Sequence, residues 1–344
     1  MKETDLQKET DRNEQDSDGA EQMTDDRPGT PDGKKVWLRR LGSLLMVLAL
    51  VMIARRLYKY RAALISAITV SSVLAGVLFM LLQAAYILFN SALYNRLIRV
   101  ITGKALPQKV VSHLYTKSNL YKYLPGNVMH LIGRNQIAAY CQVPHGDIAF
   151  CTVLELAITC LGPAIVSIIF SWKMVITWLG AHPGTIKWIC ILAAMALACC
   201  AAILIYLQRK GSFAKWFSRV RGALPLMGGM VVSYAVWNAL MGAAFLLLLK
   251  TISPELAWTA HLEIIGIFSF SWLIGFITPG APGGLGIREA ILMFFLDGIA
   301  SADAVTSAAM INRIASIFGD MLAYGIMIMV VWIAKRSAQT KENS

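Results

Sequence analysis

The chain has 344 residues, 57% of them hydrophobic, and a formal net charge of +12. Mean hydropathy is +0.58, and the apolar residues lie in long blocks, which excludes a soluble domain of ordinary composition. The charge is split: residues 1–33 hold eleven acidic and four basic side chains, so the other 311 residues carry about +19.

Residues 1–33 are rich in Asp, Glu, Gln and Thr and almost devoid of aliphatic side chains, the composition of a disordered leader. An acidic start is the wrong n-region for a signal peptide, so none is expected. Residues 34–336 form the expected membrane domain, and 337–344 a short tail. A helix needs roughly 20 apolar residues to cross a bilayer. The first crossing, 36–54, is the weakest, because only 14 residues separate Arg40 from Arg55. The second falls within 62–90, where no charge interrupts 62–95. A basic, partly apolar stretch follows over 95–146. The third crossing is 147–172 with Glu155 inside it, and the fourth is 186–207. A basic connector, RKGSFAKWFSRVRG, precedes the fifth at 226–249; the sixth is 256–278. A short helix over 287–296 and a long one over 302–334 complete the count.

The fold expected is therefore an all-α, polytopic membrane bundle of about eight crossings. Lys and Arg gather in 95–146, 208–222 and the C-terminal KRSAQTKENS, which places both termini in the cytoplasm. The loop 55–61, with four positive charges, disagrees. Six cysteines (Cys141, Cys151, Cys160, Cys190, Cys199 and Cys200) lack metal-ligand spacing and read as small packing residues. No metal site or cofactor is expected.

One stretch breaks the apolar pattern most sharply, FITPGAPGGLGIREA at 276–290. It has an echo: LPGNVMHLIGR and TPGAPGGLGIR both place Arg nine positions after Pro, and the two lie 154 residues apart. Broken helices at corresponding positions of two halves point to a transporter's central site. Two ordinary surface loops are the plain alternative. Irregular backbone at membrane depth must be buried in protein or line a watery cavity. Gly283, Gly284 and Gly286 permit the unusual dihedrals, and the helix that follows offers free N–H groups to an anion. Arg288 and Arg134 are candidate phosphate ligands, with Asn127 and His130 as further headgroup contacts. Glu289, Glu155, Arg313 and Asp320 are candidates for charge balance or gating, since charges in a membrane need partners. The pairings expected are Glu155 with Arg134, and Arg313 with Glu289 or with Asp320 on the same helix face.

These pieces, YLPGNVMHLIGR, Glu155, TPGAPGGLGIREA and the NRI at 312–314, resemble the lysylphosphatidylglycerol synthase transmembrane family. That family supplies the flippase-like module of multiple peptide resistance factor proteins. The likeness covers about 36–334. Relatives often carry Arg after the membrane Glu, whereas this chain has Leu156. The resemblance implies movement of aminoacylated lipid across the cytoplasmic membrane. It does not carry over the lysyltransferase chemistry of the separate cytosolic domain, which is not expected here.

The function expected is a flippase-like transporter of a phospholipid, such as aminoacylated phosphatidylglycerol, or of a polyprenyl-phosphate lipid. Two other readings stay open: a membrane-embedded transferase or transferase subunit in lipid modification, and a carrier of small soluble anions. The partners expected are the lipid substrate and a lipid-modifying enzyme, with no nucleic acid; oligomeric state is left open. No nucleotide site or soluble catalytic motif is visible.

Overall fold

A computed structural model describes Tyr58, Ile65 and residues 67–123, 129–181, 213–278, 282–284 and 286–342. The acidic leader, the crossings expected at 36–54 and 186–207, Asn127 and three of the cysteines (Cys190, Cys199, Cys200) lie outside the described residues. Within them the chain is helical, without strands. In order come α1 (Val70–Thr102), α2 (Gln108–Leu120), α3 (Met129–Arg134), α4 (Gln136–Tyr140), α5 (His145–Ala181), α6 (Phe213–Ile252), α7 (His261–Ile277), α8 (Ile287–Phe295) and α9 (Ala302–Glu342).

Five helical stretches are long and apolar enough to cross a membrane: Val70–Thr102, His145–Met174, Arg219–Ile252, Trp258–Ile277 and Ala302–Ala334. Among the described residues the eight-crossing count is thus not reached. The helix expected near 287–296 has nine residues, about 14 Å of rise, less than half the ~30 Å hydrocarbon core. It is a half-helix and cannot cross alone. Large apolar side chains on the outside, among them Leu74 and Leu81 on α1, Ile168 on α5 and Val232 on α6, are exposed. Such a surface suits lipid rather than water.

The helices outrun the apolar blocks that nucleate them. Thr69 caps α1, accepting from the Ser72 amide at 3.1 Å while the Ser72 hydroxyl accepts from the Thr69 amide at 2.9 Å. The helix then continues past 90 and ends where Gly103 turns left-handed, its N–H on the Arg99 carbonyl. The basic connector before 226 is not a separate linker from residue 213 onward. It is the first part of α6, which passes through Pro225 without stopping. Proline tolerates this because its ring removes only one ladder bond, whereas breaking the helix in lipid would expose several.

The described part of 95–146, expected as a basic, partly apolar stretch between two crossings, is folded into the bundle. Asn95 donates to the Leu106 carbonyl at 3.1 Å and to Gln108 at 2.8 Å, turning the chain back on itself. Ser91 and Ser112 then bond across α1 and α2 at 2.7 Å. Val111, Leu114 and Tyr115 of α2 and Ile137 of α4 are buried with Leu97, Ile98 and Cys151. Beside them Cys141, a partly buried packing residue, has its thiol pushed up to about 11 by burial, so it is protonated and unreactive near neutral pH.

A second apolar cluster joins the start of α1 and the end of α6 to α7, α8 and α9 through Phe79, Phe245, Phe268 and Leu292. Tyr86 packs against both clusters and marks the seam between them.

Helix seams are set by small residues, as expected where backbones must approach in lipid. A Cβ on Gly162 of α5 would stand 2.7 Å from the Tyr234 carbonyl carbon of α6, and one on Gly319 of α9 would stand 2.7 Å from the Met80 carbonyl oxygen of α1. Gly162→Ala therefore forces α5 and α6 apart, and overpacking of this kind costs about 1–3 kcal/mol. The expected outcome is a lower midpoint of thermal unfolding in detergent, with Gly180→Ala, where a Cβ meets open space, as the unaffected control.

Candidate functional site

The seam between the two clusters contains a cavity of about 90 Å³, lined from α1, α2, α3, α5, α6, α7, α8, α9 and the two irregular segments. That is room for several waters or one phosphate-sized group. The irregular segments meet there: the turn Tyr121–Tyr123 touches the turn Pro282–Gly284. A Cβ on Gly283 would lie 3.4 Å from the Tyr123 ring. The backbone at Gly283, Gly284 and Gly286 has φ of 55°, 74° and 87°, a left-handed run that side chains other than glycine disfavour.

Four cationic side chains line the cavity, Lys122, Arg134, Arg288 and Arg313, against one carboxylate, Glu155. Asp320 and Glu289 stand just behind its wall. Arg134 of α3 and Glu155 of α5 form a buried ion pair, the pairing expected from the sequence. Tyr115 donates to the other oxygen of Glu155 at 2.8 Å. The Arg134 guanidinium also lies over the rings of Tyr115 and Tyr94, at 4.3 and 5.3 Å.

Asp320 does not pair with Arg313. It accepts from Lys122 at 2.6 Å, Gln83 at 2.9 Å, Asn119 at 3.4 Å and, in a very short bond, the Tyr123 hydroxyl. The reason is geometric: residues seven apart on one helix are separated by about 10 Å of rise, whereas the turn after α2 delivers Lys122 directly. Arg313 instead donates to the Gly283 carbonyl at 2.8 Å, pinning the second break to α9.

The start of α8 also differs from expectation. Glu289 accepts from the Gly286 amide at 2.6 Å, so the helix start is capped by its own carboxylate and is less open to an external anion. What remains is Arg288. Its stem passes between two glycines: a Cβ on Gly275 would lie 2.5 Å from its Cγ, and one on Gly284 would lie 2.8 Å from its Nε. Its guanidinium stands over the Trp272 ring at 5.2 Å. Among the described residues Arg288 makes no hydrogen bond or ion pair, and its Nε is buried without a hydrogen-bond partner.

His130 lines the same cavity, buried, with Nδ1 lacking a hydrogen bond and its ring beside Phe276 at 6.3 Å. The carbonyl oxygens of the Asn90, Asn238 and Asn312 side chains also line it without a hydrogen bond. Sequence reasoning passed over Lys122, Tyr115, Trp272 and Gly275. Trp272, Gly275 and Phe276 share one face of α7 at i, i+3, i+4, but inside an unbroken apolar run that face carries no visible mark.

Gly275→Ala would push the Arg288 stem out of its slot without touching any charge. Its expected result is anion binding weakened at least tenfold, read by equilibrium dialysis with labelled phosphate, in a protein whose helix content by circular dichroism is unchanged.

No protein-family model, curated protein or solved structure matches the chain.

Proposed function

We propose that this chain is an integral membrane protein that takes the phosphate of a lipid headgroup at Arg288 and moves that lipid between leaflets, as a flippase-like transporter. The carrying observation is the charge inventory of the cavity. Among the described residues Arg134 has Glu155, Lys122 has Asp320, Arg313 donates to a backbone carbonyl, and Arg288 has an aromatic face and no hydrogen bond or ion pair. A guanidinium held in a low-dielectric pocket without an anion is a ligand site in want of a ligand, and its planar fork suits phosphate oxygens. The aromatic and amide lining that surrounds it supplies stacking and hydrogen bonds for what hangs from that phosphate.

The resemblance to the lysylphosphatidylglycerol synthase transmembrane family supports the same reading and directs it to phosphatidylglycerol or its aminoacyl ester, with polyprenyl phosphates as the other lipid class. Its cellular place in that reading is the cytoplasmic membrane. The test is reconstitution of the full chain into liposomes carrying fluorescent phosphatidylglycerol, with loss of signal to an impermeant reductant reporting outer-leaflet exposure. Protein-dependent exchange beyond empty liposomes is the expected result; exchange no faster than in empty liposomes removes the flippase reading.

The cavity volume favours one second reading, a carrier of small soluble anions, because the space as it stands fits a phosphate group and not a whole headgroup. Uptake of labelled inorganic phosphate into the same liposomes separates the two.

A further inference from the structure

The geometry points to Arg134 as a second anion position in the same cavity, held closed by Glu155 acting as a resident competitor. This rests on the reading of Arg288 as the first position. Arg134 and Glu155 both line the cavity that Arg288 lines. Arg134 is built like a ligand site: buried, oriented by the faces of Tyr115 and Tyr94, and with its Nε lacking any hydrogen-bond partner. Its anion is simply supplied from within the chain, by the carboxylate of Glu155.

A resident competitor needs somewhere to go when displaced, and the structure provides it. Thr159 lies one turn beyond Glu155 on the same face of α5, lines the same cavity and is 8% exposed. Its hydroxyl has no hydrogen-bond partner. The neighbouring Tyr234 hydroxyl, across the α5–α6 seam, is also buried; it faces the Thr159 hydroxyl without closing to a full hydrogen bond. Side chains on a helix lean toward its N-terminus, so Thr159 leans toward Glu155, while Glu155 must swing back along the helix to meet it. A Glu155 carboxylate leaving Arg134 would thus find the Thr159 hydroxyl, and with a modest shift that of Tyr234, donors that in the present state face only each other without a full hydrogen bond. Buried donors without partners are uncommon, and here they sit where the swing would end.

The consequence is a two-position cavity. A phosphate enters at Arg288, which among the described residues makes no hydrogen bond or ion pair, and transfers to Arg134 as Glu155 swings to Thr159. When the phosphate departs, Glu155 returns and neutralises Arg134, so the empty protein does not hold two unpaired cations. Tyr115, bonded to Glu155 at 2.8 Å, is the positioning residue for the closed state.

The test counts inorganic phosphate bound per chain to the purified full-length protein in detergent by equilibrium dialysis. The wild type is expected to bind one, with any second at least tenfold weaker. Glu155→Gln, which keeps shape and removes charge, is expected to bind two, and adding Arg134→Ala should return it to one. Arg288→Ala in the Glu155→Gln background should also leave one, now lost on further removal of Arg134. One phosphate in Glu155→Gln overturns the inference. If Arg288→Ala alone binds phosphate as the wild type does, the reading of Arg288 fails, while a second phosphate that depends on Arg134 would still stand. Glu155→Asp covers the case in which Glu155→Gln does not fold: the charge stays, the shortened reach loosens the clamp, and the second phosphate should strengthen at least tenfold over wild type. No strengthening there also overturns the inference.

Discussion

Arg288→Ala is expected to abolish lipid exchange while leaving the fold as stable as before, or more so. Truncating one member of a desolvated, charge-bearing contact costs about 2–5 kcal/mol in binding, which is roughly a thirtyfold to several-thousandfold loss. Stability should move the other way, because among the described residues the half-buried Arg288 makes no ion pair, and removing it relieves the cost of desolvating that charge. A structural role predicts the opposite pattern, with exchange and stability falling together. Arg288→Lys keeps the charge and loses the planar fork, so it should fall between wild type and alanine in exchange rate. The measurements are reductant-accessible fluorescence in liposomes and thermal unfolding in detergent on the same preparations. Full exchange in a well-folded Arg288→Ala protein would end the anion-site reading.

Asp320→Ala is expected to do the reverse, costing stability first. Its carboxylate gathers four donors from three places: Gln83 on α1, Asn119 at the end of α2, and Lys122 and Tyr123 in the turn that follows. Removing it strands Lys122 in a site where the carboxylate itself has no exposure. Breaking a buried pair by deleting one partner costs about 3–5 kcal/mol, enough to deplete the folded protein outright. The double variant Lys122→Met with Asp320→Asn should recover most of the loss, since no charge is then left unpaired and the asparagine oxygen still accepts from its neighbours. Yield of monodisperse protein and unfolding midpoint are the readouts. A double variant no better than Asp320→Ala would show that the tie works through something other than the Lys122 charge.

Much of this was legible in the primary structure, for physical reasons that also mark its limits. Long, predominantly apolar runs must be helical in lipid, so the crossings at 62–90, 147–172 and 302–334 fall on α1, α5 and α9. Their ends were misjudged because helices continue into polar sequence once capped, as α1 does to Gly103 and α6 does upstream of Pro225. Arg134 and Glu155 could be paired because isolated charges in apolar sequence must find each other. The Arg313–Asp320 alternative gives way because Lys122, in the sequence YKYLPG, looks like an ordinary loop lysine until the turn after α2 is seen to point inward. The glycines of the second break announced unusual backbone. Gly275, the one that makes room for the Arg288 stem, gave no such sign, since a glycine inside an apolar helix is common.

The tie at Asp320 has a bearing on how the molecule is made. Its carboxylate is synthesised 197 residues after Tyr123 and 237 after Gln83. Throughout that interval a nascent chain holds Lys122 without its Asp320 partner, and the first break is tied by Arg134 to Glu155 alone. Closure of the cavity is therefore a late event in biogenesis.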